Sequence, residues 1–235
     1  MTRLSLFVVV ILALGAGGWW SFKYLPDRWN PWAPLAFDHE PNILTSYKLR
    51  RIRTDPVQCR GLLAQSPLTY EEVPDRDLDK GCVFENTVQV SSSALAYSNR
   101  FTATCPLAVA QALFERHVLQ PAAQSAFGQS VGRIEHLGTY ACRNINNRAE
   151  GRLSEHARAN AIDLSAFVLK DGTRISIRAD WPQPGADDEI TQRGRFLREI
   201  HAGACRYFSS VLGPDYNAAH HDHFHADMGR YSICR

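Results

Sequence analysis

Ser154-Glu155-His156-Ala157-Arg158-Ala159-Asn160-Ala161-Ile162-Asp163 and His220-His221-Asp222-His223-Phe224-His225 are the two stretches around which the chain is organised. The first predicts a strand from Ala161, with His156 at its mouth and Asp163 within it, both facing one pocket. The second predicts a strand on which His221, His223 and His225 share a face, because alternate residues of an extended chain point the same way. Four of the nine histidines fall within these six residues. Burying several imidazoles without partners is costly, whereas a metal gives neutral imidazoles a reason to converge. Imidazole and carboxylate are ligands that Zn²⁺ accepts, and three protein ligands with an open position make a catalytic arrangement. Read alone, the first stretch fits equally an ordinary polar strand residue at Asp163 and a loop histidine at His156.

Around these stretches the hydrophobic periods alternate between strand and helix. Val131–Arg143 reads as a strand ending in Tyr140-Ala141-Cys142-Arg143, and Ala161–Leu169 as a second. The Asp171-Gly172 hairpin returns a third over Thr173–Ala179. A polar loop over Asp180–Glu189 precedes a helix over Ile190–Phe208. Upstream, Pro106 opens a helix to Val118, Thr54-Asp55-Pro56 starts a shorter one to Leu63, and Cys82–Val90 reads as a strand. The order implies an α+β fold with an antiparallel sheet flanked by helices.

At 235 residues, the chain holds one good-sized domain plus an N-terminal appendage. A net charge of +2, with the arginines spread out, gives no basis for nucleic-acid binding. Residues 1–20 read as a membrane segment: apolar or small from Leu4 to Trp20, behind Arg3. A cleaved signal peptide and an uncleaved anchor both fit. The anchor is preferred, because Trp19, Trp20 and Tyr24 suit the membrane interface and no convincing cleavage site is visible. Arg3 on the short side predicts the bulk of the chain outside. Residues 21–42, with four prolines and several aromatics, read as a semi-extended tether to a domain over 43–235. Cys59, Cys82, Cys105, Cys142, Cys205 and Cys234 are widely spaced and even in number, which fits disulfides in an oxidising compartment. Of the possible pairings the sequential one is preferred: Cys59 with Cys82, Cys105 with Cys142, Cys205 with Cys234.

Ser154, His156, Ala159, Ala161 and Asp163 together resemble the S-x-H-x-x-G-x-A-x-D signature of zinc D-Ala-D-Ala carboxypeptidases. His223-Phe224-His225 resembles the H-x-H element of the wider lysostaphin, D-Ala-D-Ala peptidase and hedgehog superfamily. Tyr140 to Asn144, Ser154 to Ala157 and His223 to His225 look like the bacterial extensin-like C-terminal domain family. That likeness covers most of the chain after about residue 55. Ala159 departs from the signature's glycine, which matters where the backbone needs a positive φ.

The resemblance implies a peptidase/hedgehog-like fold and Zn²⁺ held by His156, Asp163 and His225. It implies His223 as a catalytic group beside the metal and Arg143 as a substrate-facing one. Around them, Ser154 reads as a hydrogen-bonding support for Asp163 or His156, His220 and His221 as supporting or spare, and Asp222, on the opposite strand face, as structural. The resemblance further implies a hydrolase of peptidoglycan stem peptides, carboxypeptidase or endopeptidase, using water activated by the metal; the N-terminal segment and the cysteines agree, placing the domain on the periplasmic side of the inner membrane. Two other readings stand beside it: a non-catalytic zinc-containing wall module, and a hydrolase of a different bond.

Overall fold

The computed structural model describes residues 3–183 and 190–235. The chain begins with α1 (Arg3–Tyr24), whose stretch Ser5–Tyr24 is long and apolar enough to cross a membrane and is not buried against the rest. Twenty helical residues span about 30 Å, the hydrocarbon thickness of a bilayer. A helix of this kind near the N-terminus fits a membrane anchor and a signal sequence alike. The irregular segment after α1 is not a free tether. Leu35 and Phe37 are buried in the core, and the Arg116 guanidinium lies over the Phe37 ring. In α2 (Thr45–Ile52), the buried Lys48 ammonium donates to the Asp27 carbonyl at 2.6 Å and Arg51 donates to that of Pro31 at 2.9 Å.

The remaining elements are α3 (Pro56–Leu63), β1 (Thr69–Val73), β2 (Arg76–Asp77), β3 (Val83–Phe84), β4 (Thr87–Ser92), β5 (Ala96–Thr104), α4 (Cys105–Phe114), α5 (Gln120–Phe127), β6 (Val131–Gly138), β7 (Ala161–Leu169), β8 (Arg174–Ser176), α6 (Ile177–Asp180), α7 (Gln192–Ala204), β9 (Ser210–Leu212), β10 (Phe224–Asp227) and β11 (Ile233–Cys234). Among the described residues, nine strands form one sheet in the order β1-β4-β5-β6-β7-β10-β9-β11, with β8 also on β7. The α+β expectation holds, but the sheet is not wholly antiparallel: β5 runs parallel to β6, and β9 to β11.

Strand β7 is the axis. One edge pairs with β6. The other is divided, its first half taken by β10 and its second by β8. Ile162 and Leu164 of β7 and Phe224 and Ala226 of β10 share a core with Phe196, Leu197 and Ile200 of α7. Alternation along both strands sends Asp163 and His225 to the opposite face.

Several expected elements are cut short for local reasons. The Cys82–Val90 strand is interrupted at Asn86, which has φ +51°. The 131–143 strand ends at Gly138, leaving Arg143 in irregular chain. The strand after Asp171-Gly172 turns into α6 once Asp180 Oδ2 accepts from the Ser176 N–H at 2.8 Å. The polar loop expected over Asp180–Glu189 lies outside the described residues from 184 onward. The helix opened by Pro106 continues past Val118 through a π turn over Glu115–Leu119 into α5. Pro121 offers no N–H to the His117 carbonyl, and the helix widens just before it.

The disulfides are Cys59–Cys105, Cys82–Cys142 and Cys205–Cys234. Only the last follows the sequential expectation. Packing of α3 on α4 brings Cys59 to Cys105, and Cys82 is left for the segment after β6.

One buried acid sits in the π turn. The Glu115 carboxylate accepts from Tyr97 Oη, from Ser93 Oγ at 2.6 Å and from Gln111 Nε2 at 2.9 Å. Burial outweighs these donors and pushes its pKa above the ordinary value of 4.5. The folded chain therefore keeps this proton to a higher pH than the unfolded chain. Stability from this group is full below the ordinary value and declines as pH rises through the folded one. Urea midpoints between about pH 4 and pH 8 are expected to fall less steeply in Glu115→Gln than in the native chain; parallel curves would contradict this.

Candidate metal centre

The turn before β7 presents His156. Ser154 caps it, its Oγ accepting the His156 backbone N–H at 3.3 Å. Ser154 thus fixes the turn's backbone and does not hold the imidazole or Asp163. The turn closes at Ala159, whose N–H donates to His156 O at 3.1 Å and whose φ is +52°. The position therefore does require the left-handed region that a glycine would occupy without strain. The segment after β6 clamps the turn: Ala141 N donates to His156 O at 3.2 Å, and Ser154 N to Arg143 O at 3.0 Å. The Cys82–Cys142 bond pins this segment beside Arg143.

Asp163 and His225 are direct partners across the β7–β10 pair, so their side chains rise together from the sheet. His156 Nε2 and His225 Nδ1 lie 3.1 Å apart. Asp163 Oδ1 is 3.0 Å from His225 Nδ1 and 3.2 Å from His156 Nε2. The outer nitrogens decide what this triangle is. His156 Nδ1 faces the Thr139 carbonyl at 3.1 Å, which can only accept, so in the neutral ring the proton is on Nδ1. His225 Nε2 faces Asp227 Oδ2 at 3.2 Å and donates there. In their neutral forms both imidazoles would turn a lone pair toward the point on which the Asp163 carboxylate also converges, where a cation would sit. Donors about 2.0 Å from a tetrahedral centre stand about 3.3 Å apart, close to the spacing found. The residues fit a Zn²⁺-type ion, with the outer hydrogen bonds that orient metal-binding histidines.

Electrostatics follow the same geometry. Burial opposes ionisation of Asp163, but hydrogen bonds and charge from His156 and His225 outweigh it and hold its carboxyl well below the usual range. Burial lowers His225, yet the bonds to Asp163 and Asp227 prevail and raise it to about 9. A proton on His225 Nδ1 thus occupies the place that a cation would take in the metal-bound form.

His223 stands just before β10, its Nε2 3.6 Å from Asp163 Oδ1 and its Nδ1–H donating to Asp222 at 2.9 Å. Asp222, expected to be merely structural, orients His223, and that bond lowers the Asp222 pKa. His221 is not part of the cluster: it is exposed, with Nδ1 bound to the Ala218 carbonyl at 2.9 Å. Residues 218–220 form a helical turn, so strand alternation does not extend back to His221. His220 takes its place, with ring centroids 5.2 Å from His223 and 5.8 Å from His225. Burial, then the nearby His225 and His223, lowers His220 to about 4, which keeps it neutral.

Arg143, His156, Asp163, His220, His223 and His225 all line one cavity of about 710 Å³. The Arg143 guanidinium has no ion-pair partner among the described residues. Sequence reading missed Asp227, although its position two residues after His225 on one strand already placed both on one face. Thr139 carried no signal, because it acts through its carbonyl. The second triad of metal-ligating types, His201, Cys205 and Cys234, is not a comparable centre, since the two sulfurs are bonded to each other.

The sequence matches the family described as Extensin-like protein C-terminus over residues 57–235, and the chain belongs to it. Neither a curated protein nor a solved structure matches. The matched region contains every residue of the cluster, whereas α1, the segment docked after it and α2 precede it.

Left-handed backbone costs an alanine more than a glycine. Ala159→Gly is expected to raise stability by about 0.5–1 kcal/mol after the glycine's greater unfolded-state entropy is counted. Chemical denaturation measures it, and a loss of stability would mean that packing of the buried Ala159 methyl outweighs the backbone term.

Proposed function

We propose that this member of the extensin-like C-terminus family is a zinc-dependent peptidase of the D-Ala-D-Ala peptidase type, acting on peptidoglycan stem peptides. The observation that carries this reading is the convergence of His156 Nε2, His225 Nδ1 and Asp163 Oδ1 beside an oriented His223. His156, Asp163 and His225 would hold the ion. When bound, Zn²⁺ supplies Lewis acidity and lowers the pKa of water toward about 7.

The chain's own residues do the rest. With Nδ1–H held by Asp222, His223 turns Nε2 toward the cluster and exchanges protons there, first from the attacking water and then to the leaving amine. Arg143, lining the same cavity with no ion-pair partner among the described residues, offers donors to a substrate carboxylate or to the oxyanion of the addition step. His220, held by Asn217 Oδ1 at 2.8 Å, stays neutral and adds no competing charge. The three disulfides fit an oxidising compartment, and α1 with Arg3 before its apolar run fits an inner-membrane anchor with the domain on the periplasmic side.

Zinc content and digestion of purified peptidoglycan, read by mass spectrometry, test the proposal together. The native chain is expected to hold about one zinc and to release peptide fragments. His156→Ala is expected to lose both. His223→Ala is expected to keep the zinc and lose about 10²–10⁴-fold in rate. Asp222→Asn is expected to keep the zinc and lose about ten-fold, because His223 is less well oriented. A native chain that takes up no zinc on reconstitution, or one that holds zinc and leaves every peptide bond intact, overturns the peptidase reading.

A further inference from the structure

A second cavity of about 710 Å³ opens beside the first. It lies between the starts of α3 and α4, the turn that carries His156, and the residues following β10. Arg53, Arg152, Arg158 and Arg230 border it, against two carboxylates, Glu85 and Glu155. Glu155 is already engaged, accepting from Asn160 Nδ2 at 2.7 Å. Among the described residues, none of the four guanidiniums lies within ion-pairing distance of a carboxylate. Arg53 donates to Ser209 Oγ at 3.4 Å, and Arg152 is stacked over the Tyr231 ring at 4.7 Å. Arg53 is half-buried, whereas Arg152, Arg158 and Arg230 are exposed.

Glu155 and Asp227 offset the charge of Arg53 in part, but four guanidiniums without a close ion pair around one concavity still repel each other and attract anions, and the planar fork of arginine suits carboxylates. The cavity is also not separate from the metal-ligand cluster. Arg152, Leu153, Glu155, Gly229, Arg230 and Tyr231 line both cavities and form a shared rim. An elongated ligand can therefore occupy both at once.

We infer that the arginine-bordered cavity is a subsite for the carboxylate-bearing part of an extended acidic peptide whose continuation reaches the metal-ligand cluster. Placing the continuation there rests on the peptidase reading; binding of the acidic part does not. The occupant is an acidic peptide and not an acidic polysaccharide, a choice that rests on the same reading, because the groove leads to residues suited to a peptide carbonyl. Its side-chain carboxylates would pair with Arg158 and Arg230, beside the half-buried Arg53 and the ring-stacked Arg152.

The test uses the full chain in a neutral detergent and a fluorescent oligoglutamate peptide, followed by anisotropy. Its uncharged oligoglutamine counterpart and an oligogalacturonate are run alongside. Oligoglutamate is expected to bind and oligoglutamine is not. Arg158→Gln with Arg230→Gln is expected to weaken binding by about ten-fold or more, and the exposed Arg100→Gln by less than about two-fold. His156→Ala is expected to bind oligoglutamate as the native chain does; a native chain that holds zinc and binds oligoglutamate but leaves every peptidoglycan peptide bond intact would sink the peptidase reading and leave the subsite standing. Equal binding of both peptides, equal losses in the double variant and Arg100→Gln, or binding of oligogalacturonate in place of oligoglutamate would each overturn the subsite proposal.

Discussion

Asp163 and His225 face each other across the β7–β10 pairing, and the cluster depends on that register. A slip of one residue would put Phe224 or Ala226 opposite Asp163 and send the imidazole into the core. What resists the slip is the other face. Phe224 and Ala226 are buried with Ile162 and Leu164 against the aromatic and aliphatic side of α7. Hydrophobic burial on one side of the sheet therefore sets polar geometry on the other. The Trp181 and His201 rings pack edge-on against Phe224 and add shape to what would otherwise be only an apolar contact.

His156 reaches the same point by a different route. It lies on no strand, and its place is set by a capped turn, a left-handed alanine and two backbone hydrogen bonds from the segment after β6. That segment is fixed by the Cys82–Cys142 bond, which joins residues 60 apart in sequence. Arg143 is next to the bonded cysteine, so one covalent link supports both the turn that offers a histidine and the arginine that overlooks it. The donor set is thus assembled from a register on one side and a stapled loop on the other.

Much of this could be read from residue order, and the failures have definite causes. His156, Asp163 and His225 were legible because strand alternation and close spacing are local properties. Family resemblance supplied the roles. His221 was misplaced because alternation was carried across residues that turn as a short helix, and only the folded backbone shows where β10 begins. Asp222 was set aside by the same error: it does not lie on a strand face. The cysteine pairs depended on which helices pack together, and sequence separation says nothing of that. Arg143 was placed at a strand end, but the left-handed Gly138 stops the strand first.

The segment after α1 has a consequence of its own. Because Leu35 and Phe37 are sunk in the core and Lys48 grips the Asp27 carbonyl, little slack remains between the apolar helix and the domain. With α1 as an anchor, the domain is stationed at a set height over the bilayer, and does not sweep a volume on a leash. On the peptidase reading, its working radius would then be set by how closely the peptidoglycan approaches the membrane. Strands of it held farther out would stay beyond reach, however favourable their chemistry.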